Sequence, residues 1–179
     1  FIDVVVLGST HRPGLRSGAL PGNNIWVTGR LGATSTAVVV WQRGGDPPLE
    51  AREAFAQPSP RCTEACYLVE EGIANALIDL SDGLVGDLGH ICTQSSLGAE
   101  IDVESVPFAG EYKEALTWGD DYELCFTVPK IRQNEFNLLT QPIKEIEYTC
   151  IGEITNENGL KLLDQENVYN FTGNPFSHF

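Results

Sequence analysis

Residues 74–92 constrain the fold more than any other stretch. The apolar run 74–80 leads directly into Ser81-Asp82-Gly83, and Leu84, Leu88, Ile91 and Cys92 then recur along one helical face. A run of that length suits a buried strand, and the spacing that follows suits an amphipathic helix. Strand, tight turn and helix in immediate succession require the helix to fold back onto the sheet that its own strand joins. Further strands are predicted over 2–8, 25–28, 99–103, 122–128, 146–151 and 160–163. Helices are predicted over 32–42, 47–56, 62–72, 111–116 and 131–139, with a type II turn at Pro21-Gly22. This mixed order predicts an α+β sandwich, a mixed sheet with helices packed on it.

A chain of 179 residues that is 42% hydrophobic fills one core, so residues 1–179 are read as a single domain. The formal charge of −14 is uneven. Residues 1–62 carry six Lys/Arg against four Asp/Glu, whereas residues 63–112 carry ten acids and no base. Such a balance excludes nucleic acid as a partner, because phosphate backbones are held by Lys and Arg. Nucleotides remain compatible, since divalent cations bridge carboxylates to phosphates. The five cysteines lie mostly within apolar segments, which fits core thiols in a reducing cytoplasm. No apolar run has the length of a membrane span, and no targeting segment is visible. The first residue is Phe1, methionine is absent, and the opening apolar run reads as a strand already under way, so a fragment lacking its natural start is expected.

Chemistry concentrates in two places. In Asp79-Leu80-Ser81-Asp82-Gly83, two carboxylates and a hydroxyl stand where a strand ends and a helix begins. Hard-cation ligands and free backbone N–H groups meet there, so Asp79 and Asp82 are candidate ligands of Mg2+, with Ser81 a candidate hydrogen-bond partner of a phosphate or a metal-bound water. The alternative is that Ser81 is an N-cap and Asp82 a first-turn acid complementing the helix dipole. The second place is Trp118-Gly119-Asp120-Asp121-Tyr122-Glu123, where strand alternation puts Asp121 and Glu123 on one face and Tyr122 and Leu124 on the other. Its acids suit a metal or a cationic substrate, or simply a solvated turn. Cys62 and Cys66 have no second pair at zinc spacing, and His11, His90 and His178 are scattered. Nucleophile-elbow, P-loop and dinucleotide-binding glycine patterns do not occur, so any ATP site is of another kind.

Taken in order, five blocks resemble the thiamine-monophosphate kinase family, within the larger group that includes aminoimidazole ribonucleotide synthetase and selenophosphate synthetase. They are Leu15 to Gly29, with its Arg-Ser-Gly-Ala, Pro-Gly and Trp-Val-Thr-Gly runs; Pro58-Ser59-Pro60-Arg61; Ile78 to Ala99; Asp121 to Pro129; and Phe176-Ser177-His178-Phe179. The resemblance implies ATP-dependent phosphorylation of thiamine monophosphate, with Mg2+ bound by Asp79 and Asp82 and ATP contacted by Ser81. It further implies that Asp120 pairs with the thiamine cation and Phe176 stacks on its ring. Asp120 stands where the family commonly has Glu, Trp118 replaces a frequent Gly, and the 108–116 segment is short. Nothing matches the family's N-terminal, ATP-binding domain, so the chain is expected to be a C-terminal domain that is inactive alone and part of a homodimer when full-length. The alternatives are another kinase or synthetase of that group and a non-catalytic ligand-binding or interaction domain.

Overall fold

A computed structural model of the chain describes residues 3–110, 116–164 and 167–170. Among the described residues, seven strands form one sheet in the order β2-β4-β1-β5-β3-β6-β7. They are β1 (Asn24–Thr28), β2 (Ala76–Asp79), β3 (Gly98–Asp102), β4 (Leu124–Val128), β5 (Tyr148–Thr155), β6 (Gly159–Asp164) and β7 (Asn167–Asn170). Every pairing is antiparallel except β3 with β6, which makes the sheet mixed, as expected for the α+β class. The helices are α1 (Ala33–Gln42), α2 (Leu49–Ala56), α3 (Cys62–Glu70), α4 (Leu84–Ser95) and a single turn, α5 (Phe136–Leu139).

Central strands are covered on both faces, which follows from period-two alternation. Ile25, Val27, Ile78 and Cys125 face one core with Leu84, Leu88 and Ile91 of α4. Leu124, Phe126 and Val128 face a second core with Leu68 of α3, Phe136 and Ile143, against which Trp26 and Tyr148 pack. Trp26 stacks on Phe136 with ring centroids 3.9 Å apart. The type II turn is present: Asn23 N–H donates to the Leu20 carbonyl at 3.0 Å, and Gly22 supplies the positive φ that the turn requires.

The structure corrects four expectations. Residues 3–8 form no strand, and Val4, Val5, Val6 and Leu7 are exposed, because an apolar run becomes a strand only where a neighbour satisfies its backbone groups. The segment 131–139 is a 3-10 helix over Lys130–Glu135 followed by α5. Strand β4 starts at Leu124 because Tyr122 has φ 53°, outside the extended region. Cys62 and Cys66 are exposed free thiols rather than core residues. Residues 111–115 of the helix expected at 111–116 lie outside the described residues, as does Phe176, while Leu116 is helical. Residues 167–170 pair as β7 with β6. Among the described residues no helix is long and apolar enough to cross a membrane.

Candidate functional site

β2 is one of the two edge strands, and its pairing with β4 brings the two acidic segments together. Asp79 lies opposite Leu124, and the ladder continues past both strands: Leu80 N–H donates to the Glu123 carbonyl at 2.7 Å and Tyr122 N–H to the Leu80 carbonyl at 2.9 Å. Asp120 N–H then donates to the Ser81 carbonyl at 3.0 Å. Glycine makes this approach possible. A Cβ on Gly119 would stand 1.7 Å from the Ser81 carbonyl oxygen, and one on Gly83 would stand 2.8 Å from the Thr117 carbonyl carbon.

The strand-to-helix turn is held from inside rather than by a conventional cap. The N-cap of α4 is Gly83, without a side-chain cap, so Ser81 does not perform the capping role open to it in the sequence. Instead the Asp87 carboxylate, in the first turn of α4 and 2% exposed, accepts the Asp82 N–H at 2.9 Å. Burial pushes the Asp87 carboxyl up to about 6; the Asp82 and Ser81 N–H groups oppose this, and the nearby Asp82 and Asp79 charges add to it.

Asp82, Asp87 and His90 carry ligand atoms within 4.8 Å of one another, an arrangement of oxygen and imidazole donors able to hold a cation. Asp79 is exposed and stands outside that trio, on the wall of a neighbouring cleft. Asp87 and His90 were missed as site residues in the sequence. Their signal was the i, i+3 spacing on the helix that follows the Asp82 turn.

Asp120 and Tyr122 both have positive φ, 68° and 53°; Ser96 is the other non-glycine residue to do so among the described residues. Such conformations cost free energy and concentrate at functional sites. The Tyr122 hydroxyl donates to Asp120 Oδ1 at 3.0 Å, and that bond, ahead of partial burial, raises the phenol above its ordinary value. Asp120 itself is exposed beside the Ser81 turn.

Asp121 and Glu123 precede β4, with the non-extended Tyr122 between them, and both are engaged by protein. The Asp121 carboxylate accepts the Gly32 N–H, with both oxygens 3.0 Å away, at the start of α1. Burial pushes Asp121 up to about 7 against the backbone donors, and the Glu123 and Asp120 charges add to the rise. Buried Glu123 accepts the Thr28 hydroxyl at 2.5 Å and a bidentate pair of bonds from Arg61, 2.7 Å from Nε and 2.6 Å from Nη2. Its oxygens are therefore taken up by protein donors.

Two clefts flank this junction. The larger, about 750 Å3, is walled by Cys62, Cys66, Val69, Leu77, Asp79 and Tyr122, with Arg12, Arg16 and Arg61 also bordering it. The spacing of Cys62, Cys66 and Val69 thus marks a cleft wall. The smaller, about 570 Å3, is lined by Arg30, Arg52, Arg61, Asp121 and Glu123 among others.

Residues 21–165 match the family described as AIR synthase related protein, C-terminal domain. Among curated proteins, the chain is 38% identical over 156 residues to the thiamine-monophosphate kinase of Escherichia coli K12, a match covering 78% of this chain and 47% of that protein. Among solved structures, it is similar to the thiamine-monophosphate kinase of Stenotrophomonas maltophilia K279a, with a TM-score of 0.77 and 32% identity over 85% of this chain and 53% of that one. It is also similar to AaThiL complexed with AMPPCP and TMP, with a TM-score of 0.72 and 27% identity over 86% of this chain and 51% of that one. The chain spans about half the length of the curated relatives it matches.

Proposed function

Because the chain belongs to the family of AIR synthase related C-terminal domains, we propose that it is the C-terminal domain of a thiamine-monophosphate kinase, transferring the γ-phosphate of ATP to thiamine monophosphate. The observation that carries this reading is the interlock of the two acidic turns: Asp120 N–H bonded to the Ser81 carbonyl sets a candidate acceptor-binding acid beside a candidate metal turn. The similarity to a kinase solved with AMPPCP and TMP supports the same substrates here.

The donor set fits a hard divalent cation. The charges of Asp82 and Asp79 add to the cost that burial places on the Asp87 carboxylate, and Mg2+ would relieve that repulsion. Asp79 and Asp82 would hold that ion, with His90 adjacent to the Asp82 carboxylate. When bound, Mg2+ supplies screening of phosphate charge. The protein's own residues position the reactants. The larger cleft suits the nucleotide: its apolar walls accept a base, Arg12 and Arg16 border it, and Asp79 lies on its wall. Ser81 would donate to a phosphate oxygen from the turn, and Asp120, kept in place by the Tyr122 hydroxyl, would pair with the thiamine cation. Phe176 would stack on the acceptor ring. In-line transfer between two phosphate groups needs no protein nucleophile, consistent with a site built from acids, arginines and backbone. The remaining half of the enzyme would supply an N-terminal domain that completes the ATP site begun at this cleft, and a homodimer interface, in the cytoplasm.

The test is an acceptor panel with the full-length protein, ATP and Mg2+: thiamine monophosphate, unphosphorylated thiamine, a formylglycinamidine ribonucleotide and selenide. Formation of thiamine diphosphate from the first alone supports the proposal. Turnover of either of the last two instead moves the protein to another branch of the group.

A further inference from the structure

The Arg61–Glu123 pair is the most buried ion pair among the described residues, with side chains 17% and 11% exposed. Burial of that kind is weak evidence of a purely stabilising role, since apolar residues of similar volume hold a fold as well or better. The pair is nevertheless built with care. Glu123 is gripped by the Thr28 hydroxyl, and Gly29 leaves the room it needs, because a Cβ there would stand 2.3 Å from Glu123 Oε1. Pro58 and Pro60 stiffen the approach to Arg61, which forms the N-cap of α3.

A guanidinium carries five N–H donors. Glu123 takes two of them, at Nε and Nη2, and among the described residues Arg61 makes no other hydrogen bond. Arg61 also borders both clefts, so it stands at the wall between them. A planar fork, fixed along one edge by a carboxylate, is suited to reading an oxyanion with its remaining donors. The other two arginines of the larger cleft, Arg12 and Arg16, are exposed, and Arg12 is spent on the Glu70 carbonyl.

We propose that Arg61 is a phosphate-binding residue of the larger cleft and that Glu123 is its positioning residue. The inference rests on reading that cleft as the nucleotide site. Arg61 contacts phosphate oxygen directly, while Asp79, on the same cleft, acts through the cation it would hold. Glu123 keeps the guanidinium fork oriented before nucleotide arrives, which limits the ordering lost on binding. The Arg61 guanidinium is held above its ordinary value, chiefly by the Glu123 bond.

Cys62 and Cys66 supply a direct reporter, because both are exposed free thiols on the wall of this cleft. In the full-length enzyme, ATP protection of these thiols from iodoacetamide, followed by mass spectrometry, gives nucleotide affinity without relying on turnover. Arg61→Lys keeps the charge but loses the fork, and should weaken ATP protection at least tenfold with the KM for thiamine monophosphate moving less than twofold. Both variants should lower the melting temperature, and Glu123→Gln should weaken ATP protection less than Arg61→Lys does. If Arg61→Lys lowers the melting temperature but leaves ATP protection within twofold of wild type, the pair is only a latch and the proposal is overturned. If ATP fails to protect the wild-type thiols, while thiamine diphosphate is still formed, the nucleotide lies elsewhere. That result overturns the proposal through its premise and leaves the kinase activity standing.

Discussion

Asp121 gives a prediction whose sign and size follow from where its carboxylate lies. It is half-buried at the start of α1, accepting the Gly32 N–H, with Glu123 and Asp120 near enough to repel its charge, and desolvation pushes its pKa up to about 7 in the fold. The unfolded chain titrates this group near its ordinary value of 3.8. The folded state therefore binds the proton more tightly. The stability this contributes is complete below the unfolded value, falls as pH rises, and is lost once pH passes the folded value. Asp121→Asn keeps the shape and one acceptor but cannot ionise. Between pH 5 and pH 8 the variant should gain about 2–3 kcal/mol relative to wild type, the integral of one carboxyl with these two pKa values. Urea unfolding of the 179-residue chain at the two pH values measures it, and taking the difference between proteins cancels groups common to both. A pH-independent difference between variant and wild type would refute the reasoning, and would show that the helix N-terminus keeps Asp121 ionised at pH 5.

Gly119→Ala tests the interlock of the two turns, because its Cβ would fall 1.7 Å from a backbone oxygen that cannot swing away. It should destabilise the chain by about 2 kcal/mol or more in thermal unfolding, whereas Gly44→Ala, with open space around its Cβ, should cost about 1–2 kcal/mol through its positive φ alone. Asp120→Ala in the full-length enzyme should raise the KM for thiamine monophosphate by about tenfold to a hundredfold, the range for losing a bond to a charged group, and leave the KM for ATP nearly unchanged.

Much of the fold was legible because the 2.0 and 3.6 periodicities are written in apolar residues. The β2–turn–α4 unit, β1 and the β4 core follow directly from them. What failed has physical causes. Val4 to Leu7 carry a strand's composition but no partner among the described residues, and partnership is not a local property. Tyr122 has β propensity but takes a positive φ because its N–H must reach the Leu80 carbonyl, a tertiary demand. Cys62 and Cys66 share a helix face as their spacing required, yet that face opens on a cleft. At the site, the acids could be found by pattern but not sorted by task. The sequence paired Asp121 with Glu123; only the structure shows one capping α1 and the other gripping Arg61. Asp87 went unnoticed because a buried acid inside an apolar helical stripe looks like helix filler until its bond to the Asp82 N–H is seen.

The central claim is that the turn from Asp79 to Asp82 serves phosphoryl transfer through a bound cation. The most direct test is the steady-state rate of thiamine diphosphate formation by the full-length enzyme, measured against Mg2+ concentration for wild type, Asp79→Asn and Asp82→Asn. Turnover lower by orders of magnitude in each variant, at unchanged circular dichroism and with a raised Mg2+ requirement, is the predicted result. Wild-type rates at wild-type Mg2+ dependence in both variants would contradict it.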